Sequence, residues 1–135
     1  MRKKAQATTE YLILLSFVMG IVLVLVVLFQ SYSQETQDKI RMTQAEQIAR
    51  KIADAAEKVY YLGEPSRVTI KAHIPGNVKA INIGNKEIFF VLNTQQGDNE
   101  IGTISKVNIT GSLPTNEGIY EILVESKGDY VQITT

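Results

Sequence analysis

Cysteine and tryptophan are both absent from this 135-residue chain, histidine occurs once and proline only three times. Without cysteine there is no disulfide framework and no thiolate metal site. The single histidine, His73, has no second histidine or cysteine with which to share a metal. Net charge is missing as well: 14 basic and 14 acidic side chains cancel, so the sequence carries no basic footprint for nucleic acid. None of G-x-S-x-G, H-E-x-x-H, the P-loop or G-x-G-x-x-G occurs, and the chemistry those spacings serve goes with them. The chain is expected to be a non-enzyme with no cofactor and no metal. Its length accommodates one small domain plus an N-terminal targeting or spanning helix.

What is present is uneven. Arg2, Lys3 and Lys4 open the chain, Glu10 follows, and Tyr11 to Phe29 is a nearly unbroken apolar run relieved only by Ser16 and Gly20. As a helix this run rises about 28 Å, enough to cross a hydrocarbon core with little tilt. It exceeds the h-region of an ordinary secretory signal. The basic cluster places the N-terminus in the cytoplasm and the remainder of the chain outside. Gly20 has no second glycine four residues away, so it is not a helix-dimerisation motif.

Three fates of the N-terminus compete. In the first, the segment is an uncleaved signal anchor, with Glu10 among the headgroups beside the basic residues, and the rest forms an extracellular binding module. In the second, cleavage follows Ser31-Tyr32-Ser33 and releases a soluble domain beginning at Gln34. In the third, the chain is cut before the apolar run, between Ala5 and Gln6.

The third fate follows from a resemblance. Lys3-Lys4-Ala5 followed by Gln6-Ala7-Thr8-Thr9-Glu10-Tyr11-Leu12 resembles the class III signal peptide of archaeal type IV pilins. In that family a basic leader ends in a small residue before a Gln-x-Ser/Thr-x-Glu-Tyr/Phe-Leu type start. Glycine is usual before the cut, and Ala5 departs from it. The resemblance implies a leader over 1–5, processing by a prepilin peptidase, and assembly with other pilin subunits into a surface filament by a pilus machinery. It implies a precursor held in the cell membrane and a mature subunit in an extracellular filament, with cell adhesion as the expected role. It implies, too, that Glu10 serves assembly. Cutting at Ala5–Gln6 creates an α-amino group one helical turn from Glu10, and in a bundle that carboxylate can neutralise a neighbour's amine. Glu10 also lies near the positive end of the helix dipole. Archaellins, whose early helix is usually Gly-rich, match less well.

Beyond Phe29, helix formers continue to Leu62. Ala45, Ile48, Ile52, Ala55, Val59 and Leu62 recur at alternating spacings of three and four, a narrow apolar stripe. Glu46–Arg50 and Asp54–Lys58 are favourably ordered i, i+4 pairs. Gly63-Glu64-Pro65 is a stop signal. The expected organisation is a leader over 1–5, an apolar helix over 6–34, its amphipathic continuation over 35–62, and a β head over 63–135.

From Arg67 the period falls to two, and the fold class expected is α+β, a long pilin-type helix followed by a small antiparallel sheet. Strands are expected over 68–74, 78–83, 86–92, 101–109, 119–126 and 130–134. A two-residue turn falls at Gly84-Asn85, and exposed loops at 93–100 and 110–118. Two uses compete for the helical stripe, docking of the chain's own sheet and a coiled coil with another subunit; seventy-odd residues form a marginal core alone, so docking is the one expected, with Tyr60 and Tyr61 closing the interface. His73, Glu121 and Glu125 read as solvated strand positions. Asp98-Asn99-Glu100 lacks the spacing of a calcium loop. Asn108-Ile109-Thr110 is a candidate N-glycosylation sequon.

Overall fold

A computed structural model describes residues 6–135 in full and the backbone of 2–5; Met1 and the side chains of 2–5 lie outside the described residues. The expected leader, with Ala5 on one side of the expected cut, falls there. Helix α1 spans Arg2–Leu62. Seven strands follow: β1 (Arg67–Ile74), β2 (Val78–Gly84), β3 (Glu87–Thr94), β4 (Gly97–Ile104), β5 (Ile109–Gly111), β6 (Gly118–Ser126) and β7 (Val131–Thr134). The chain divides into two compact units, Met1–Gln37 and Asp38–Thr135.

The first unit is helix alone. Serine hydroxyls bond back to its backbone: Ser16 Oγ donates to Leu12 O at 2.8 Å and Ser31 Oγ to Val27 O at 3.2 Å. Such back-bonding satisfies a polar group without water. The helix ends where Gly63 adopts φ +80°, a left-handed cap that glycine takes without Cβ strain. The Gly63 N–H donates to Tyr60 O at 3.1 Å, and Ser66 N–H to Gly63 O at 2.9 Å.

In the second unit, residues 38–62 of α1 pack with two sheets. One sheet has the order β1-β6-β7-β5, the other β2-β3-β4. Ala45, Ile48, Ala49, Ile52, Ala56 and Val59 join Ile74, Phe90, Ile122, Val124 and Ile133 in a single core. The period-two pattern is visible on β6, where Ile122, Val124 and Ser126 are buried while Glu121 is exposed. The helical face is wider than the expected stripe, because Ala49, Ala53 and Ala56 belong to it.

Several expectations are corrected. Leu62 and Tyr61 are exposed, at 75% and 72%, whereas Tyr60 packs on the core; only one of the two tyrosines closes the interface. The two rings meet edge-on at 5.8 Å. The β2–β3 turn is Asn85-Lys86, since Gly84 pairs with Glu87. Both turn residues have positive φ, 50° and 71°, the requirement of a type I′ hairpin. The segment 93–100 is not a loop but the tip of the β3–β4 hairpin, with Asn93 opposite Asp98 and Thr94 opposite Gly97. Its polar side chains bond one another: Thr94 Oγ1 donates to Gly97 O and Asn99 Nδ2 to Thr94 Oγ1, both at 2.8 Å. Strand 101–109 breaks after Ile104, and β5 begins at Ile109. The head is antiparallel except for β5, which pairs parallel with β7.

Candidate functional site

The candidate site is the first unit. Every large apolar side chain from Tyr11 to Phe29 is exposed, from 44% at Leu15 to 72% at Phe29. An 18-residue window of this helix reaches a mean hydropathy of 3.3 and is 0% buried. A helix apolar all round and uncovered has the length and composition to cross a membrane. Among the described residues its backbone groups are paired along the helix, as a hydrocarbon phase requires. An alanine-sized side chain at Gly20 would meet no other atom within 4 Å, so nothing in the chain itself demands glycine there.

At the start of this surface, Gln6 and Glu10 lie one turn apart on the same face. Gln6 Nε2 donates to Glu10 Oε1 at 3.4 Å. The geometry sets residue 6 beside the Glu10 carboxylate, and both side chains are exposed. A carboxylate here meets the apolar run at Tyr11 beside the neutral Gln6 amide, a costly arrangement at membrane depth. The Thr8 and Thr9 side chains are exposed on the adjoining turn.

The head offers less. Among the described residues no group of three or more acidic, histidine or cysteine side chains could hold a metal ion. Asp98 forms an ion pair with Lys79. His73 is exposed and lines a groove of about 320 Å³ with Lys71 from β1 and Gln44, Gln47 and Lys51 from α1. Lys51 Nζ donates to Lys71 O at 2.7 Å, covering part of the open edge of β1. Lys71 itself pairs with Glu121 at 3.0 Å. No sequence signal marked this groove, because its members lie on two elements and share no spacing. Lys127 has its pKa raised, chiefly by its hydrogen bond to Glu125, whose Oε2 lies 2.9 Å away.

Asn108 and Thr110 are both exposed, with Ile109 between them buried at 2%. The Asn108 carbonyl accepts from the Val131 N–H at 2.8 Å.

A long apolar N-terminal helix with a β domain is compatible with a pilin-like subunit and with a signal-anchored membrane protein. No protein-family model, curated protein or solved structure matches the chain, and the choice between those two rests on its own residues.

Proposed function

We propose that this protein is a structural subunit of a type IV pilus-like filament, inserted in the membrane as a precursor, cut between Ala5 and Gln6, and assembled through residues 6–34. In this reading it is not an enzyme and needs no cofactor. Its partners are other copies, a prepilin peptidase and an assembly machinery, and its destination is an extracellular filament used in adhesion.

One observation carries the proposal: the side chain of Glu10 stands one turn from residue 6, at the edge of an apolar surface exposed on all sides. Cleavage would place a cationic amine at residue 6, and a carboxylate four residues on is positioned to meet such an amine. In a bundle, the amine of one copy meets the carboxylate of the next, so that two desolvated charges offset each other. Loss of Arg2, Lys3 and Lys4 also removes the basic anchor that holds the N-terminus at the cytoplasmic face.

The test combines the mature N-terminus with filament yield. Chains recovered from native cells should begin at Gln6 and appear in filaments under the electron microscope. Glu10→Ala should leave membrane insertion intact and reduce filament yield sharply, because stranding one partner of a buried ion pair costs about 3–5 kcal/mol. A chain that retains Arg2 and stays monomeric would instead establish the signal-anchored binding module.

A further inference from the structure

We propose that Asn108 is a glycan attachment site, modified during export before the head closes. The inference rests on the proposed function only in requiring that the head be exported; it does not depend on filament assembly.

Asn108-Ile109-Thr110 is the one place in this chain where an asparagine is followed two residues later by serine or threonine. That spacing is the acceptor signature for N-linked sugar, with the hydroxyl at the third position serving recognition. The fold treats the triplet in a way that suits it. Ile109 enters the core at 2% exposure, so period-two alternation turns Asn108 and Thr110 together onto the outer face, where both are exposed. The backbone at Asn108 is held by the Val131 N–H at 2.8 Å, which fixes the main chain at a residue that remains exposed. A bulky polar substituent there meets solvent and displaces no core group.

Topology supplies the timing. In the four-stranded sheet β5 is terminal and hydrogen-bonds to β7 alone, with Ile109 opposite Val131 and Gly111 opposite Ile133. β7 is the last strand of the sequence. In a chain exported from its N-terminus, Asn108 crosses before its strand partner does. Its backbone therefore lacks its ladder partner until the final residues have followed, in an extended state that an enzyme can thread. A parallel partner also cannot be supplied by a neighbouring tight hairpin; β2, exported earlier, packs beside β5 in the folded head but shares no strand pairing with it.

The reaction balances as a group transfer. The Asn108 side-chain nitrogen bonds to the anomeric carbon of a polyprenyl-phosphate-linked sugar, and the carbon–oxygen bond to phosphate breaks. The polyprenyl phosphate leaves with the electron pair, and the amide proton passes to a base of the transferring enzyme.

The test uses the full chain from its native cells, digested with trypsin to give the peptide spanning 107–127. In the unsubstituted protein and in Thr110→Ser that peptide should carry a discrete sugar mass on Asn108; in Asn108→Gln and Thr110→Ala it should be bare. All these positions are exposed, so folding is expected to survive, and the melting temperature of each variant checks it. A bare peptide from the unsubstituted protein, or a sugar that persists in Thr110→Ala, would overturn the assignment. The timing is tested with unmodified chain, either folded or unfolded in urea and diluted, incubated with native-cell membranes that supply enzyme and lipid-linked sugar. The unfolded chain should be modified at least about tenfold faster, and equal rates would overturn the order of events. The N-terminal peptide of the same native sample separates the two readings. A bare Asn108 on a chain starting at Gln6 defeats the glycan alone, and a sugar on a chain retaining Arg2 defeats the processing alone.

Discussion

Leucine, isoleucine, valine and phenylalanine fill both units of this chain, but they face opposite ways. In the first unit they stand outward over the whole circumference of the helix, none from Tyr11 to Phe29 less than 44% exposed. In the second, Ile52, Phe90, Ile122, Val124 and Ile133 are at or near zero exposure, while charged residues such as Lys71, Glu121 and Lys79 are exposed; Leu62, Ile104 and Ile119 are exceptions on its surface. The same helix contributes to both patterns. What changes along it is the company of each apolar residue: nothing polar punctuates the run from Leu12 to Leu15, whereas Ile48 and Ile52 alternate with Arg50, Lys51 and Asp54. Burial follows the pattern of polar residues as much as the content of apolar ones.

The largest test of this contrast is a charge placed at equivalent chemistry in the two units. Ile52→Asp puts an unpaired carboxylate at a fully buried site, with a desolvation penalty of several kcal/mol. The head should fail to fold, read as loss of its cooperative melt in detergent, while membrane insertion persists. Val24→Asp should do the reverse, leaving the melt unchanged and weakening insertion by about 2.5–3.5 kcal/mol. If both substitutions damage the head equally, the contrast between an outward-facing and an inward-facing apolar set fails.

A smaller effect is expected from size alone. Ala49 is fully buried on the helical face, and Ala49→Leu should destabilise the head by about 1–3 kcal/mol through overpacking, seen as a lowered melting temperature. The same enlargement at Gly20, where an added Cβ has no neighbour, should leave that melt unmoved. Lys86 holds φ 71° in the β2–β3 turn, and a non-glycine residue there is strained. Lys86→Gly should gain up to about 1 kcal/mol, measured by urea titration.

The smallest effect is a pH dependence. Lys127 has its pKa raised above 10.5, first by its hydrogen bond to Glu125. Its contribution is therefore fully present below the ordinary lysine value and fades as pH climbs through the folded value. Melting curves of the unsubstituted protein and of Lys127→Met should differ slightly at pH 8 and converge only as pH rises past the raised Lys127 value. A difference that grows with pH would contradict the sign.

The long helix, its stop at Gly63 and the alternating strands were legible because each rests on one strong local signal. The β3–β4 tip was not, since Asn93, Thr94, Asp98 and Asn99 are poor strand formers whose pairing is secured by side-chain bonds across the turn. Ala49, Ala53 and Ala56 escaped notice because alanine is as common on exposed helical faces as on buried ones; only the approach of the sheet reveals their side. The parallel β5–β7 pair joins segments separated in sequence by β6, and no local pattern announces such a partner. For the candidate site, the Gln6–Glu10 spacing was readable directly. The alignment of Asn108 with Thr110 on one face needed the burial of Ile109 to fix which face was outermost.

The rod from Tyr11 to Phe29 has no bald side and no greasy side. Hydropathy can therefore set how deep it sits but not which way it is turned about its own axis, and neighbours are equally welcome at every azimuth. In the proposed filament the compass bearing falls to the acid at position 10, a single charged mark near one end of the cylinder.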